Sequence, residues 1–284
     1  MKNSMSAFIN HNGKLSGAEE PVISAANRSY RYGDGVFETM KMLKGKIILQ
    51  NLHFERLMTS LQTLKIKISK LITTDRLQNE ILELSKKNNC GEKARVRLSV
   101  TRGNGGLYDS DDNFQYIIEC WPLSETSDRL NENGLVIDIY PDARKSIDMF
   151  SNLKSANYLP YVMAALYARD NKFNDCLILN THERICDATI ANVFCIKDGV
   201  VFTPPLTEGC VAGVMRRFLS ANMQDAGYAM REQEFIIENL VQADEVFLSN
   251  TIQGVRWVKK FRVKTYTNTT TKKIYNYLLQ TIYR

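Results

Sequence analysis

A chain of 284 residues that is 44% hydrophobic and 24% charged has ordinary globular composition and room for one or two domains, which excludes a disordered or fibrous protein. Its formal net charge of +6 is spread along the chain, gathering only in pairs such as Lys86-Lys87, Arg216-Arg217 and Lys259-Lys260, so the basic stripe of a nucleic-acid binder is missing. No apolar run approaches the ~18 residues of a membrane span, and Met1 to Phe8 lacks the apolar core of a secretory signal; the expectation is a cytoplasmic protein with neither nucleic acid nor membrane as partner.

The first elements read as hairpins and helices. Asn12-Gly13 marks a tight turn between short extended runs, and residues 36–43 and 46–49 read as strands joined at Lys44-Gly45. Asn51 is a candidate cap for a helix with Leu57, Leu61 and Leu64 at near-helical spacing. A second helix fits 75–87, with Leu77, Ile81 and Leu84 on one face. Strands over 95–101 and 114–121 flank the glycine-rich loop Arg102-Gly103-Asn104-Gly105-Gly106.

The polar, aperiodic stretch 124–134 reads as a linker, which gives an N-terminal α/β domain over 1–123 and a C-terminal domain over 135–284. Beyond it come a strand at 135–140, a helix opened by Pro160, and strands at 175–179, 191–196 and 200–202. A helix is expected over 211–226 with Gly227 as its stop, and an amphipathic helix through Ile274, Tyr275, Leu278 and Ile282 near the end. The fold class is α+β, with two domains and mixed sheets.

Cysteine and histidine supply little chemistry. The six cysteines occur singly with no C-x-x-C, and His11, His53 and His182 lie far apart, so no metal site is expected and the cysteines read as small core residues. Lysine is different. From Met149 to Ala168 the only charged residue is Lys154, where a chain with 24% charged residues would carry about five charges. Burial among Phe150, Leu153 and Tyr158 would favour the neutral amine that Schiff-base chemistry requires, although a lysine snorkelling to solvent gives the same pattern.

Two further features bear on that choice. Thr207 to Arg216 carries two glycines into a helix start, suited either to an anion on free N–H groups or to simple close packing. Asp187, between Cys186 and Ala188, is either a solvated turn residue or a carboxylate beneath a protonated ring nitrogen. Lysine, carboxylate and phosphate cradle together fit pyridoxal 5′-phosphate (PLP).

Five stretches in order resemble the class IV (fold type IV) PLP-dependent aminotransferases, a family holding branched-chain and D-amino-acid aminotransferases and aminodeoxychorismate lyase. They are Arg31 to Thr39 (RYGDGVFET), His53 to Leu57 (HFERL), Lys154 to Leu159 (KSANYL), Asp187 to Phe194 (DATIANVF), and Thr203-Pro204-Pro205 through Gly213-Val214-Met215-Arg216. The resemblance implies a smaller N-terminal and a larger C-terminal domain, with Lys154 as the covalent cofactor lysine. It implies phosphate contacts from Arg56, Thr251 and the Gly213–Val214–Met215 backbone. Tyr158 would face the ring hydroxyl and Asp187 the pyridine nitrogen, where the family usually has glutamate.

For the substrate it points to Tyr32, Phe37, Thr39, Arg97 and Arg102. Arg97 and Arg102 would serve as carboxylate clamps, and a homodimer would let Tyr32 and the 102–108 loop serve the neighbouring site. Thr39 and the Arg102 loop lean toward the lyase, and Tyr158 toward branched-chain aminotransferases. Asn104 stands where D-amino-acid enzymes usually have histidine. The expected activity is amino transfer between a small α-amino acid and a 2-oxo acid. The alternatives are aminodeoxychorismate lyase, then a D-amino-acid aminotransferase or a PLP-free binding protein of the same fold.

Overall fold

Two-residue turns organise the first sheet. Strand β1 (Phe8–His11) returns as β2 (Lys14–Gly17) through Asn12 and Gly13, whose φ values of 54° and 87° are those of a type I′ turn. The structure, a computed structural model, describes residues 7–112 and 114–283; residues 1–6, part of the stretch read for a targeting signal, lie outside the described residues. The short helix α1 (Arg28–Tyr32) follows, then β3 (Gly35–Leu43), β4 (Lys46–Ile47), α2 (Gln50–Thr63), α3 (Thr74–Lys87), β5 (Lys93–Thr101) and β6 (Gln115–Pro122).

These elements build a six-stranded antiparallel sheet in the order β2-β1-β6-β5-β3-β4. Strands β5 and β6 alternate strictly, so Ala94, Val96, Leu98 and Val100 join Tyr116, Ile118 and Cys120 on the core side. Leu57 and Leu61 of α2 and Leu77, Ile81 and Leu84 of α3 cover that side. The other side of β5 carries Arg95, Arg97, Ser99 and Thr101.

The chain divides into two units: the first runs to Ser127 and also includes Lys154–Asn157, and the second comprises Asp128–Leu153 and the residues from Tyr158 onward. The segment holding Lys154 therefore groups with the first unit, although a simple cut at 124–134 assigns it to the second.

The second unit contains β7 (Leu135–Lys145), α4 (Leu159–Asp170), β8 (Asp175–Asn180), β9 (Ile185–Ala188), β10 (Asn192–Lys197), β11 (Val200–Thr203), α5 (Val214–Asn222), β12 (Met230–Glu232), α6 (Ile237–Gln242), β13 (Glu245–Asn250), β14 (Gly254–Phe261), β15 (Lys264–Thr265) and α7 (Thr269–Ile274). A π-helical turn over Tyr275–Leu279 and a last turn over Gln280–Tyr283 follow; Ile274, Tyr275 and Leu278 are buried as the periodicity expects, whereas Ile282 in the last turn is not. The sheet order is β12-β11-β10-β13-β14-β7-β8-β9, with β15 on β14. It is mixed, since β11/β12, β14/β7 and β7/β8 are parallel.

Two local expectations change. Asn51 is not the cap of α2: the helix opens at Gln50 from Leu49, which has φ 55° and no side-chain cap, so Asn51 already sits inside the first turn. Helix α5 covers Val214–Asn222 rather than 211–226: Gly213 has extended backbone (φ −64°, ψ 133°) and is the cap, while the Val211 and Ala212 N–H groups ahead of it donate to the Asp187 carboxylate and the Asn152 carbonyl. All six cysteines are buried free thiols. Among the described residues no helix is long and apolar enough to cross a membrane.

Candidate active site

In the first unit the lysine segment lies along the start of β3. The Phe37 N–H donates to the Lys154 carbonyl at 2.9 Å, the Ala156 N–H donates to the Gly35 carbonyl at 2.9 Å, and Val36 bridges Ser155. Gly33 makes room for this segment, because a Cβ there would sit 2.4 Å from Asn157 Oδ1. Lys154 Nζ lies 4.4 Å from the centroid of the Phe37 ring, and the Arg97 guanidinium carbon lies 3.8 Å from the same centroid. Arg97 stands opposite Thr39 in the β3/β5 register, and its Nε donates to Ser99 Oγ at 3.1 Å.

Strand alternation sends Glu38 to the other side, among Val36, Met40 and Met42. There it is 2% exposed and accepts from Arg56 Nε at 2.8 Å, Arg56 Nη2 at 2.6 Å and His53 Nδ1 at 2.6 Å. Burial works to raise the Glu38 pKa, but the Arg56 charge and the histidine hydrogen bond outweigh it and hold the carboxyl near about 2. Burial also pushes His53 below the ordinary imidazole value; its hydrogen bond to Glu38 opposes this, and the Arg56 and Lys154 charges reinforce it. The His53 Nε2 is buried without a hydrogen-bond partner among the described residues.

Arg102 is engaged within its own unit. Its Nε and Nη2 donate to Asp34 at 2.8 and 3.3 Å, while Nη2 and Nη1 also donate to the Leu64 and Lys65 carbonyls at 2.7 and 3.2 Å. Burial opposes the ionised form of Asp34, yet hydrogen bonds and charge from Arg102 and Arg28 hold its carboxyl below the usual range. Tyr32 is 41% exposed at the end of α1, and Tyr108 in the glycine-rich loop is 97% exposed.

In the second unit the centre is Asp187 on β9, 2% exposed. Its Oδ2 accepts from Lys145 Nζ at 2.9 Å, the Tyr161 hydroxyl at 2.8 Å and the Val211 N–H at 3.0 Å, while Oδ1 accepts from Asn192 Nδ2 at 3.1 Å. Burial and the Asp187 charge push the Tyr161 hydroxyl well above its ordinary pKa, so it remains a donor. Tyr158 stacks on Tyr161 with ring centroids 4.4 Å apart and donates its hydroxyl to the Thr189 carbonyl at 3.0 Å.

Asn192 also donates to the Val211 carbonyl at 2.9 Å, and its Oδ1 leans on Gly213, where a Cβ would sit 1.9 Å from that oxygen. Gly213 opens α5 without a side-chain cap, which leaves the first-turn N–H groups of Val214 and Met215 in the arrangement that takes an anion. Thr251, 8% exposed, follows β13 in the same unit.

The structure thus groups Lys154, Phe37, Thr39, Arg97 and Arg56 in one unit, and Tyr158, Asp187, Gly213, Val214, Met215 and Thr251 in the other. Chemically, the first offers an amine and guanidinium on one aromatic ring. The second offers a buried carboxylate with acceptor capacity left on Oδ1 and a helix start. Sequence reasoning missed Glu38, His53, Lys145, Tyr161 and Asn192. Only Glu38 carried a local signal, as a charge at an inward strand position among apolar neighbours.

A family model described as amino-transferase class IV matches residues 35–261. The chain is 29% identical over 245 residues to an aminodeoxychorismate lyase of Vibrio harveyi, covering 85% of this chain and 88% of that one. It is 27% identical over 252 residues to a D-alanine aminotransferase of Staphylococcus haemolyticus, covering 88% and 87%. The fold is similar to that of a branched-chain aminotransferase from Thermoproteus uzoniensis solved with norvaline, with a TM-score of 0.87, 22% identity, and 98% and 95% of the two chains covered.

Proposed function

The chain belongs to the class IV aminotransferase family, and from that premise we propose that it is a PLP-dependent enzyme moving an amino group between a small α-amino acid and a 2-oxo acid. When bound, PLP supplies the aldehyde that takes up an amine and the ring that draws electrons from the α-carbon. Lys154 joins the cofactor and carries the proton at the reacting carbon. Arg56, Thr251 and the Gly213–Val214–Met215 backbone hold the phosphate, the Oδ1 of Asp187 takes the ring N–H, and Tyr158 faces the ring hydroxyl. Arg97 and Phe37 line the substrate side with Thr39, and a homodimer brings Tyr32 and the Arg102 loop to the neighbouring site.

The residues present fit this cofactor in three respects. The Val214 and Met215 N–H groups lack a side-chain cap, Gly213 has no Cβ to displace Asn192, and Asp187 Oδ1 accepts only one hydrogen bond among the described residues. The observation that carries the reading is the lysine: Nζ lies 4.4 Å from the Phe37 ring beside Arg97, whose guanidinium suits a carboxylate.

Borohydride treatment of the PLP-loaded protein, followed by peptide mass spectrometry, tests it. A pyridoxyl mass on Lys154, lost in Lys154→Ala together with keto-acid formation from an amino-acid panel, is the expected result. An unmodified Lys154, or activity that survives Lys154→Ala, overturns it.

Release of 4-aminobenzoate and pyruvate from aminodeoxychorismate is the second reading. The position of Thr39 opposite Arg97 favours it, because a hydroxyl and a carboxylate-binding group then share one strand pair. Transamination without 4-aminobenzoate release removes the lyase, and the reverse result removes the aminotransferase.

A further inference from the structure

Asp187 is more tightly held than its proposed task requires. Three donors converge on Oδ2 from three elements: the Lys145 ammonium at the end of β7, the Tyr161 hydroxyl on α4, and the Val211 N–H ahead of α5. Among the described residues Oδ1 receives Asn192 alone. A carboxylate oxygen accepts about two or three hydrogen bonds, so Oδ2 is filled and the free acceptor capacity lies on Oδ1. Of the four donors only Lys145 carries charge. Its side chain is 11% exposed and that of Asp187 3%, so the pair is shielded from water and its hydrogen bond is charge-assisted. Lys145 Nζ also lies 5.3 Å from the centroid of the Tyr161 ring, which confines the ammonium to this corner.

We propose that Lys145 is a positioning residue for the cofactor: by neutralising Asp187 and anchoring Oδ2, it presents Oδ1 to the ring nitrogen of PLP. This rests on the reading of Asp187 given above. Tyr161, Val211 and Asn192 add neutral hydrogen bonds to the carboxylate, but none of them balances its charge. Without the ammonium, a buried carboxylate turns toward whatever donor or water it reaches, and Oδ1 leaves the ring nitrogen. The group acts only through Asp187, so its effect disappears when Asp187 no longer carries charge.

The test is titration of the full chain with PLP, followed by its visible absorbance, for Lys145→Met, Lys145→Arg, Asp187→Asn and the double variant Lys145→Met/Asp187→Asn. The expected result is a PLP Kd at least tenfold weaker for K145M, with a displaced absorbance band, and a return to within about threefold of the unaltered chain for K145R. In the D187N background, K145M changes Kd less than about twofold. A merely structural lysine would weaken PLP binding equally in both backgrounds.

Equal weakening in both backgrounds, or K145M binding within twofold of the unaltered chain, overturns the proposal. Should K145M not fold, Lys145→Gln carries the same expectation and the same overturning result. Failure of the unaltered chain to bind PLP overturns the functional reading itself, which distinguishes the two.

Discussion

Glu38 holds Arg56 at two points, with Nε and Nη2 at 2.8 and 2.6 Å from its two carboxylate oxygens, inside the core of the first unit. The carboxyl is held near about 2 from an ordinary 4.5, so it binds fewer protons in the folded chain than in the unfolded one. Its stabilisation is therefore present above the unfolded value and is lost as pH falls from about 4.5 toward 2. A shift of that size corresponds to on the order of 3 kcal/mol. Glu38→Gln removes it and leaves Arg56 and its helix without a counter-charge. The expected outcome in urea unfolding is a loss of that order at pH 7 and a flatter stability profile between pH 5 and 2. A profile unchanged from the parent would show that the pair contributes nothing.

Gly213 is a steric prediction, since its φ of −64° is open to any residue. Adding a methyl group would place a carbon 1.9 Å from Asn192 Oδ1, and the Asn192 amide links Asp187 to the Val211 carbonyl. Gly213→Ala should cost roughly 1–3 kcal/mol of stability and also weaken PLP binding. Gly91→Ala, where a Cβ meets nothing within 4 Å, is the control and should stay within about 0.5 kcal/mol of the parent. Equal melting temperatures for the two variants would refute the close approach at position 213.

Arg102 separates two roles by experiment. The resemblance makes it a carboxylate clamp, while the geometry has it donating to Asp34 and to the Leu64 and Lys65 carbonyls beyond the end of α2. A side chain holding those groups should matter before any substrate arrives: Arg102→Ala should lose about 1–3 kcal/mol, and Arg102→Lys, which lacks the fork, should recover only part of it. Thermal unfolding without substrate measures this. A raised KM with unchanged unfolding would assign the residue to substrate instead.

The sequence made legible whatever depends on near neighbours. Asn12-Gly13 encodes its turn because only four residues take part, and Leu77, Ile81 and Leu84 encode the buried face of α3 because helical spacing is local. Lys154 stood out by the absence of charge around it. Lys145 and Tyr161 did not, because their chemistry arises when β7, β9 and α4 bring them to Asp187, 42 and 26 residues away. The start predicted for α5 comes three residues early because Gly213, whose extended backbone caps the helix, carries no side chain to mark the cap.

Asp175 illustrates the opposite sign of proton linkage. It accepts from the Thr189 N–H and hydroxyl at 3.0 and 2.7 Å and from the Cys176 N–H at 2.8 Å, yet burial outweighs these bonds and raises its pKa. The folded chain therefore keeps this proton to higher pH than the unfolded chain does. Its contribution is fully present below the unfolded carboxyl value and is lost as pH rises through the folded one. Asp175→Asn keeps an oxygen acceptor for Thr189, whose carbonyl holds the Tyr158 hydroxyl, and removes the ionisation. The melting temperature of the variant relative to the parent should accordingly climb between pH 4 and pH 8. A difference that stays constant over that range would mean that Asp175 does not titrate there, and a difference that falls would reverse the assigned sign.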